Sequence, residues 1–400
     1  MIRKVTKGKY RNKYQVRIQP TDNVTGKRIS WPVQYAESKK EADKIERQMW
    51  QEYEEGLNPN DAKVIFADDF QRYVNQRSRS ISPVTLRSWQ NTANSVKSYF
   101  KNAQVGQVTT QLVEKYAHDY VDQHHATVSR SSNIAKILVH LRNYFKSVEG
   151  KVIKENPVPE NALKVFFKQS DFTVPQEWRI FTESELKQIR DLILSDLKNN
   201  PVQLNGSKLA ILIESYTGMR VGELQALKFS NIVQENGYWT FSINDSWCNY
   251  TKSFNGSLKA RPKGDSRTLL PIPNEIIDQV KAYKVSQATF LQQHGLSNPQ
   301  DLIFLNLHDY QKSSNNQPIT QKGFNHMLKE ICANLSIESG GKLMSIYSFR
   351  HTICTQLAST PEISYPWAAE KMGHSLNMFM KTYVGLSQDI NQKMSQLWAS

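Results

Sequence analysis

Residues 217–227 of this 400-residue chain read TGMRVGELQAL, a stretch that joins two predicted helices. Gly218 ends the first helix, since glycine readily takes the left-handed conformation found at helix C-termini. Arg220 opens the second helix, where unpaired backbone N–H groups favour an anion. Arg220 either donates a fork of hydrogen bonds to a phosphate or pairs with Glu223 on a solvated helix face. On this stretch alone, the ion pair is favoured.

Two further stretches place a basic residue in an unusual setting. Residues 259–273, KARPKGDSRTLLPIP, predict a β-hairpin with Lys263 at its tip, although most hairpin lysines have no catalytic role. Residues 347–358, YSFRHTICTQLA, predict an apolar helix that buries Arg350, which is costly without a charged partner. Arg350 is therefore a stronger functional candidate than an ordinary surface arginine.

The stretch KMGHSLNMFMKTYV, residues 371–384, places His374 after a glycine and Tyr383 nine positions later. Two interpretations of Tyr383 are open. It is either a core residue of a short amphipathic segment or a nucleophile held on a mobile element near the C-terminus. The rest of the sequence has to decide between them.

The composition favours a polyanionic partner. The chain carries 51 Lys and Arg against 37 Asp and Glu, a formal net charge of +14. Such an excess most often indicates nucleic acid binding, a merely basic surface being the alternative. The three cysteines, Cys248, Cys332 and Cys354, are scattered, and no histidines lie at metal-ligand spacing. We therefore expect no disulfide, metal or other cofactor, no membrane span, and a reducing cytoplasmic setting.

Residues 1–57 predict a small β-sheet followed by a helix. The alternation in NKYQVRIQP, residues 12–20, turns apolar side chains to one face of a strand and polar side chains to the other. Residues 1–30 hold nine Lys and Arg against Asp22 as the single acidic residue. This basic face suits contact with a DNA groove, a solvated edge sheet being the alternative. The candidate DNA-binding residues are Lys13, Gln15, Arg17 and Arg28.

Three further segments complete the predicted organisation. Residues 64–155 show four helical patterns and predict an all-helical domain, and residues 156–181, rich in proline and without a period, predict a connector. Residues 182–400 predict a mixed α+β, mainly helical domain. Its expected elements are helices near 183–198, 206–217 and 220–229, strands across 238–272, and a tail helix over 389–398 that docks on a neighbouring protomer or on its own chain.

The four polar stretches, in this order and at this approximate spacing, resemble the tyrosine recombinases of the phage-integrase family, lambda type. Each motif is weak alone, but the ordered set is specific. The resemblance covers residues 178–400 as a catalytic domain. It further implies that residues 64–155 form a core-DNA-binding domain and that residues 1–57 form an arm-type DNA-binding domain. The expected fold class is therefore the multidomain tyrosine-recombinase type.

The resemblance also implies catalytic roles. Tyr383 would attack a DNA phosphodiester and form a 3′-phosphotyrosyl link, freeing a 5′-hydroxyl. Arg220 and Arg350 would stabilise the charge that develops on the phosphate oxygens. Lys263 would protonate the leaving 5′-oxygen, and His374 would hydrogen-bond the phosphate. One phosphoester replaces another, so neither a metal nor ATP is expected.

The chain departs from the family at one catalytic position. Where the family usually has histidine three residues before the second arginine, this chain has Tyr347. Tyrosine can donate a hydrogen bond to phosphate but is a poor proton acceptor at neutral pH. His351 is adjacent to Arg350, but one helical step turns it roughly 100° away. We therefore expect a bound water or His374 to share the role of the general base.

The partners implied are double-stranded DNA with core and arm attachment sites, a homotetramer on two duplexes, and an accessory DNA-bending or excision factor. The expected reaction is integration or excision of a phage or other mobile element in the host cytoplasm. Two alternatives are a non-catalytic DNA-binding regulator on a recombinase scaffold, which Tyr347 favours, and a type IB topoisomerase-like enzyme, which shares the chemistry.

Overall fold

The computed structural model describes residues 1–21, 26, 28–56, 61–259, 261–384, 396 and 399. The chain divides into two compact units, Met1–Pro175 and Gln176–Ser400. The division falls within the predicted connector. The tail helix predicted for residues 389–398 lies outside the described residues except for residue 396. Among the described residues, no helix has the length and apolar character that crossing a membrane requires.

The first unit begins with a three-stranded antiparallel sheet and a helix, as predicted. The strands are β1 (Ile2–Lys4), β2 (Tyr14–Val16) and β3 (Gln34–Ala36), in that spatial order, and the helix is α1 (Lys39–Glu54). The Ser38 hydroxyl caps α1 by accepting from the Glu41 amide. The apolar face of the sheet packs on α1, and the buried residues there include Val16, Ile18, Trp31, Ala42 and Met49.

Residues 61–175 of the first unit, all of them described, contain five α-helices. They are α2 (Phe66–Arg77), α3 (Pro83–Phe100), α4 (Thr110–His124), α5 (Asn133–Val148) and α6 (Ala162–Phe166). Ser82, Thr109 and Ser132 cap three of them, because each side-chain oxygen accepts an otherwise unpaired backbone N–H. Val158, Phe166 and Phe167 are buried in this helical core. Part of the segment predicted as a connector is therefore packed structure.

The second unit is mixed and mainly helical, as predicted. Its elements up to the last strand are α7 (Glu183–Asn199), α8 (Val202–Thr217), α9 (Val221–Gln225), β4 (Ile232–Glu235), β5 (Tyr238–Ile243), β6 (Trp247–Cys248), β7 (Ser253–Phe254) and β8 (Arg267–Thr268). The later helices are α10 (Asn274–Gln293), α11 (Tyr310–Ser314), α12 (Gln321–Asn334), α13 (Tyr347–Ser359), α14 (Tyr365–Met372) and α15 (Leu376–Tyr383). Helix α8 is largely buried and contacts α7, α10, α12 and α13.

Two local predictions differ from the structure. The helix expected over 220–229 is only the short α9, followed by a 3₁₀ turn at Phe229–Asn231. The hairpin with Lys263 at its tip is wrong, since β8 pairs with β5 while β7 pairs with β6. Lys263 lies in a tight turn in which the Asp265 amide donates to the Pro262 carbonyl at 3.2 Å. Residues near Lys263 predicted the turn correctly because a turn depends on neighbours in sequence. The pairing partner of β8 depends instead on the free edge of β5, which lies far away in sequence.

Candidate active site

Gly218 brings the end of α8 against α13. Its φ is +53°, and a Cβ at this position would lie 3.1 Å from the Arg350 Cα. Arg220 follows as the first residue before α9, where its backbone N–H and its Nη1 donate to the two oxygens of Glu223, each at 3.0 Å. The ion pair considered above therefore exists, but it is not on a solvated face, because the Glu223 side chain is only 1% exposed.

Glu223 binds a second arginine that the sequence analysis missed. Arg267, on β8, donates from Nη2 to Glu223 at 2.6 Å, and both side chains are 1% exposed. Burial lowers the pKa of Arg267 to about 10, against the opposing attraction of Glu223. One signal was available: a lone arginine precedes the apolar run TLLPI, which predicts a strand residue with a buried neighbour.

Three guanidinium groups bind three successive carbonyls at the end of α14. Arg267 donates to the Lys371 carbonyl, Arg350 to that of Met372 and Arg220 to that of Gly373, the last at 2.5 Å. These carbonyls lie where a helix leaves acceptors unpaired and carries partial negative charge. The arginines therefore cap α14 and are in turn held together by it.

The close approach of two of these arginines requires glycine at position 373. Gly373 has a φ of +64°, and a Cβ there would lie 2.8 Å from the Arg267 Nε and 2.9 Å from the Arg220 Nη1. Both distances are too short for real side-chain contacts. Glycine is thus needed both for the backbone conformation and for the space.

Arg350 is fully buried, as predicted from its apolar helix. No carboxylate binds it directly among the described residues. Nη1 donates to the Gly218 carbonyl at 2.9 Å, and Nη2 donates to His374 Nε2 at 2.6 Å. Its Nε is buried without a hydrogen-bond partner in the described part of the chain. The guanidinium is thus fixed by neutral acceptors, which leaves its positive charge uncompensated at short range.

The contact with Arg350 defines the protonation state of His374. A guanidinium can only donate, so Nε2 of His374 accepts and Nδ1 of the neutral ring carries the hydrogen. Burial, together with the charges of Arg350 and Arg220, lowers the His374 pKa to about 3. The Nδ1 atom is buried and has no partner among the described residues. His374 therefore presents a free hydrogen-bond donor.

Tyr383, on α15, stacks on this histidine. The two ring centroids are 5.7 Å apart and the planes differ by 14°. The fully buried Phe379 anchors α15 in an apolar cluster, and the Tyr383 hydroxyl lies beside the Cys354 thiol. Burial and the neighbouring Cys354 raise the pKa of Tyr383 well above its ordinary value, against the attraction of Arg350. In this position the phenol stays protonated.

Tyr347 and His351 lie one turn apart on α13, close to Tyr383. His351 stacks on Trp178 with centroids 5.3 Å apart and contacts the Tyr383 ring at 5.6 Å. Tyr347 contacts both Trp178 and His351 edge-on, at 5.1 and 5.0 Å. His351 is one helical step from Arg350, as expected, yet its ring contacts Tyr383, because residues 347, 351 and 354 share the helix face that Tyr383 covers. That spacing was visible in the sequence.

Other predicted residues lie apart from this cluster. Lys263 is exposed, and no hydrogen bond or ion pair in the described structure links it to the arginines or to Tyr383. In the amino-terminal sheet, Lys13 pairs with Glu37 at 2.5 Å, whereas Arg17 and Arg28 are exposed and Gln15 is half-buried on β2. The described residues contain no group of His, Cys, Asp and Glu side chains that could hold a metal ion.

Two models of protein families match this chain. The model of the phage integrase family matches residues 179–389, and that of the phage integrase SAM-like domain matches residues 65–166. A search of curated proteins gave no match.

Three solved structures share the fold. The Tn1549 transposon integrase in complex with transposon right end DNA is 16% identical, with a TM-score of 0.62 over 84% of this chain and 100% of that chain. XerH site-specific recombinase bound to palindromic difH substrate is 14% identical, with a TM-score of 0.57 over 91% of this chain and 90% of that chain. A lambda integrase dimer bound to a COC′ core site is 17% identical, with a TM-score of 0.52 over 94% of this chain and 92% of that chain. The chain belongs to the phage integrase family and is a tyrosine recombinase.

Proposed function

We propose that this recombinase cleaves and rejoins double-stranded DNA at specific sites through a 3′-phosphotyrosyl intermediate on Tyr383, and so integrates or excises a phage or other mobile element. One observation carries the assignment of the site. Arg350 donates to His374, and His374 stacks on Tyr383, so that a guanidinium, a free N–H donor and a phenol lie together. Arg220 adds a second guanidinium at the same helix end.

The proposed reaction exchanges one phosphoester for another. The Tyr383 oxygen attacks phosphorus, and the bond to the 5′-oxygen breaks. Arg220, Arg350 and the Nδ1–H of His374 stabilise the charge on the nonbridging oxygens. Lys263, on its exposed turn, approaches the bound DNA and protonates the leaving 5′-oxygen. The reverse sequence, with a 5′-hydroxyl from another strand, rejoins the DNA.

The proposed partners follow from the DNA substrate. The helical segment 64–155 binds the core site, and residues 1–57 bind arm sites through the basic face that carries Lys13, Gln15, Arg17 and Arg28. A homotetramer holds two duplexes, and an accessory DNA-bending or excision factor selects the direction. Because the substrate is chromosomal and element DNA, the reaction takes place in the cytoplasm of the host cell. The solved relatives named above, whose structures contain DNA, support this assignment.

The test is covalent trapping on mapped DNA. End-labelled duplexes covering the genomic DNA on both sides of the coding sequence are incubated with protein and resolved on a denaturing gel. The wild-type protein should form an adduct at a defined phosphate. Tyr383→Phe should bind the same duplex and form none, while Tyr310→Phe, at an exposed position on α11, should behave like the wild type.

Other outcomes contradict the proposal. An adduct formed by Tyr383→Phe would exclude this nucleophile. DNA binding by the wild type without any covalent adduct would favour the alternative of a non-catalytic DNA-binding regulator. Relaxation of supercoiled plasmid without recombinants would favour the topoisomerase-like enzyme.

A further inference from the structure

We propose that His351 accepts the proton of the Tyr383 hydroxyl during cleavage and returns it during rejoining. This inference rests on the proposed function and assigns the general base of the same site. It gives this chain an imidazole for the role that the family resemblance would place at position 347, where a tyrosine stands. The argument uses contacts and an account of which nitrogen atoms are free.

Two imidazoles touch the Tyr383 ring. His374 lies on it at 5.7 Å and His351 at 5.6 Å, as measured between ring centroids. His374 cannot accept a proton from the phenol, because its Nε2 lone pair is used by Arg350 and its Nδ1 already carries hydrogen. His374 is therefore a donor to the phosphate and not a base.

His351 has a nitrogen lone pair available. Among the described residues its ring contacts Trp178, Tyr347 and Tyr383, and neither ring nitrogen takes part in a hydrogen bond. Stacking on Trp178 fixes one face of the imidazole and leaves its edge free. The ring is half-buried, so part of it remains exposed.

The other groups near the phenol are unsuitable. Burial raises the pKa of the Cys354 thiol to about 11, so this residue keeps its own proton at neutral pH. Tyr347 is a phenol like the nucleophile itself and offers no gain in basicity. Arg350 is permanently protonated. Of the side chains that contact or lie beside Tyr383, His351 is the remaining acceptor in the described structure.

The proton balance of the step is complete. The Tyr383 oxygen forms its bond to phosphorus as its proton passes to His351, and the imidazole becomes an imidazolium. The bond between phosphorus and the 5′-oxygen breaks, and that oxygen takes a proton from Lys263. In rejoining, the 5′-hydroxyl gives its proton to Lys263 as it attacks phosphorus, and Tyr383 leaves as a phenol with the proton that His351 returns. The hydroxyl must first turn from Cys354 towards the phosphate, as catalytic contacts often tighten only with substrate bound.

The surroundings of His351 predict the pH range in which it acts. The titratable or charged groups that face it are Arg350, Tyr347, His374 and Tyr383. Burial, and then the charge of Arg350, lower the pKa of His351 below its ordinary value of 6.5. A general base acts only when it is unprotonated. The rate of cleavage should therefore be highest above this pKa and fall as the pH drops through it. His374, with a pKa of about 3, does not titrate in this range.

The experiment measures adduct formation by His351→Phe on a duplex carrying the site mapped for the wild type. Phenylalanine keeps the ring that stacks on Trp178 but removes the acceptor. The rate should fall by about 10² or more, the usual contribution of general-base catalysis, with unchanged DNA affinity. His326→Phe is the matched control, because His326 is exposed on α12 and pairs only with Glu330 among the described residues. A loss smaller than about tenfold would overturn the proposal.

A second substrate separates the base from the acid. In a duplex with sulfur in place of the 5′-bridging oxygen, the leaving thiolate needs no proton, since thiols have a pKa of about 8.5. The rate of adduct formation by Lys263→Ala should recover on this substrate, and that of His351→Phe should remain low. Recovery of His351→Phe would show that it serves the leaving group and would refute the assignment.

The wild type provides a measurement that needs no variant. With both substrates, the rate of adduct formation by the wild type should fall as the pH drops below 6.5, the ordinary pKa of histidine. A rate that does not fall at acidic pH with either substrate would overturn the role of His351. Failure of the wild type to form any adduct would instead refute the proposed function as a whole.

Discussion

Replacing Glu214 by glutamine should stabilise the protein at neutral pH. Glu214 lies on α8 and is fully buried beneath the arginine cluster, and neither carboxyl oxygen has a full hydrogen bond to a described residue. Burial raises its pKa well above 4.5, although Arg350, the Met219 amide and Arg267 favour the ionised form. The folded chain therefore holds this carboxyl neutral at a pH where the unfolded chain ionises it.

The magnitude follows from proton linkage. A group with a raised folded pKa stabilises the fold fully below its unfolded pKa, and this contribution is lost as the pH rises towards the folded pKa. Between these values one proton is released on unfolding, so the wild type loses about 1.4 kcal/mol per pH unit through this residue. Glutamine removes the dependence. For a unit of this size, the melting temperatures of variant and wild type should separate by about 3–6 °C per pH unit.

The assay is urea unfolding of the second unit at pH 5, 6, 7 and 8, followed by tryptophan fluorescence. The free energy of unfolding of Glu214→Gln should exceed that of the wild type by an amount that grows with pH. Glu338→Gln is the control, because its side chain is exposed and its difference from the wild type should not change with pH. A constant difference for Glu214→Gln across this range would refute the claim that the carboxyl is neutral in the folded chain.

Three further predictions concern the arginines and the amino-terminal segment. Gly373→Ala should abolish cleavage and destabilise the second unit, whereas Gly237→Ala, which also has positive φ but open space around it, should cost stability only; adduct assays and urea unfolding distinguish them. Arg267→Met should cost about 3–5 kcal/mol in urea unfolding because it leaves Glu223 buried and partly unpaired, whereas Arg261→Met, in an ion pair with the 60% exposed Glu370, should cost under about 1 kcal/mol. Removal of residues 1–57 should reduce the salt dependence of DNA binding and leave core-site cleavage intact, and an unchanged salt slope in binding titrations would contradict this.

Local signals in the sequence predicted much of the fold. Helices α1, α4 and α7 each begin after a capping residue, namely Ser38, Thr109 and Thr182, whose side chain accepts the backbone N–H three residues on. The burial of Arg350 is confirmed for a similar reason, because the apolar residues around it are adjacent in sequence. Capping and amphipathic periodicity depend on residues a few positions apart, and such information is fully present in one sequence.

What the sequence did not predict depends on distant partners. Arg267 joins the site because β8 pairs with β5, and nothing near residue 267 specifies that edge. His351 was judged by its angle to Arg350, yet its neighbour is decided by where α15 packs. In both cases the chemistry of the residue was visible, and the element that it meets was not. The catalytic role of Lys263 stays a prediction.

The way the three arginines are held explains how the proposed phosphate-binding site can keep its positive charge. Gathering Arg220, Arg267 and Arg350 is costly, and carboxylate partners for each would offset the cost but would compete with DNA. Glu223 pairs with two of them, and burial raises the pKa of Glu214, which disfavours its charged form. The remaining compensation comes from consecutive carbonyls at the end of α14, which carry only partial charge. Since His374 follows that helix end directly and supports Tyr383, the same contacts that concentrate positive charge also position the donor and the phenol.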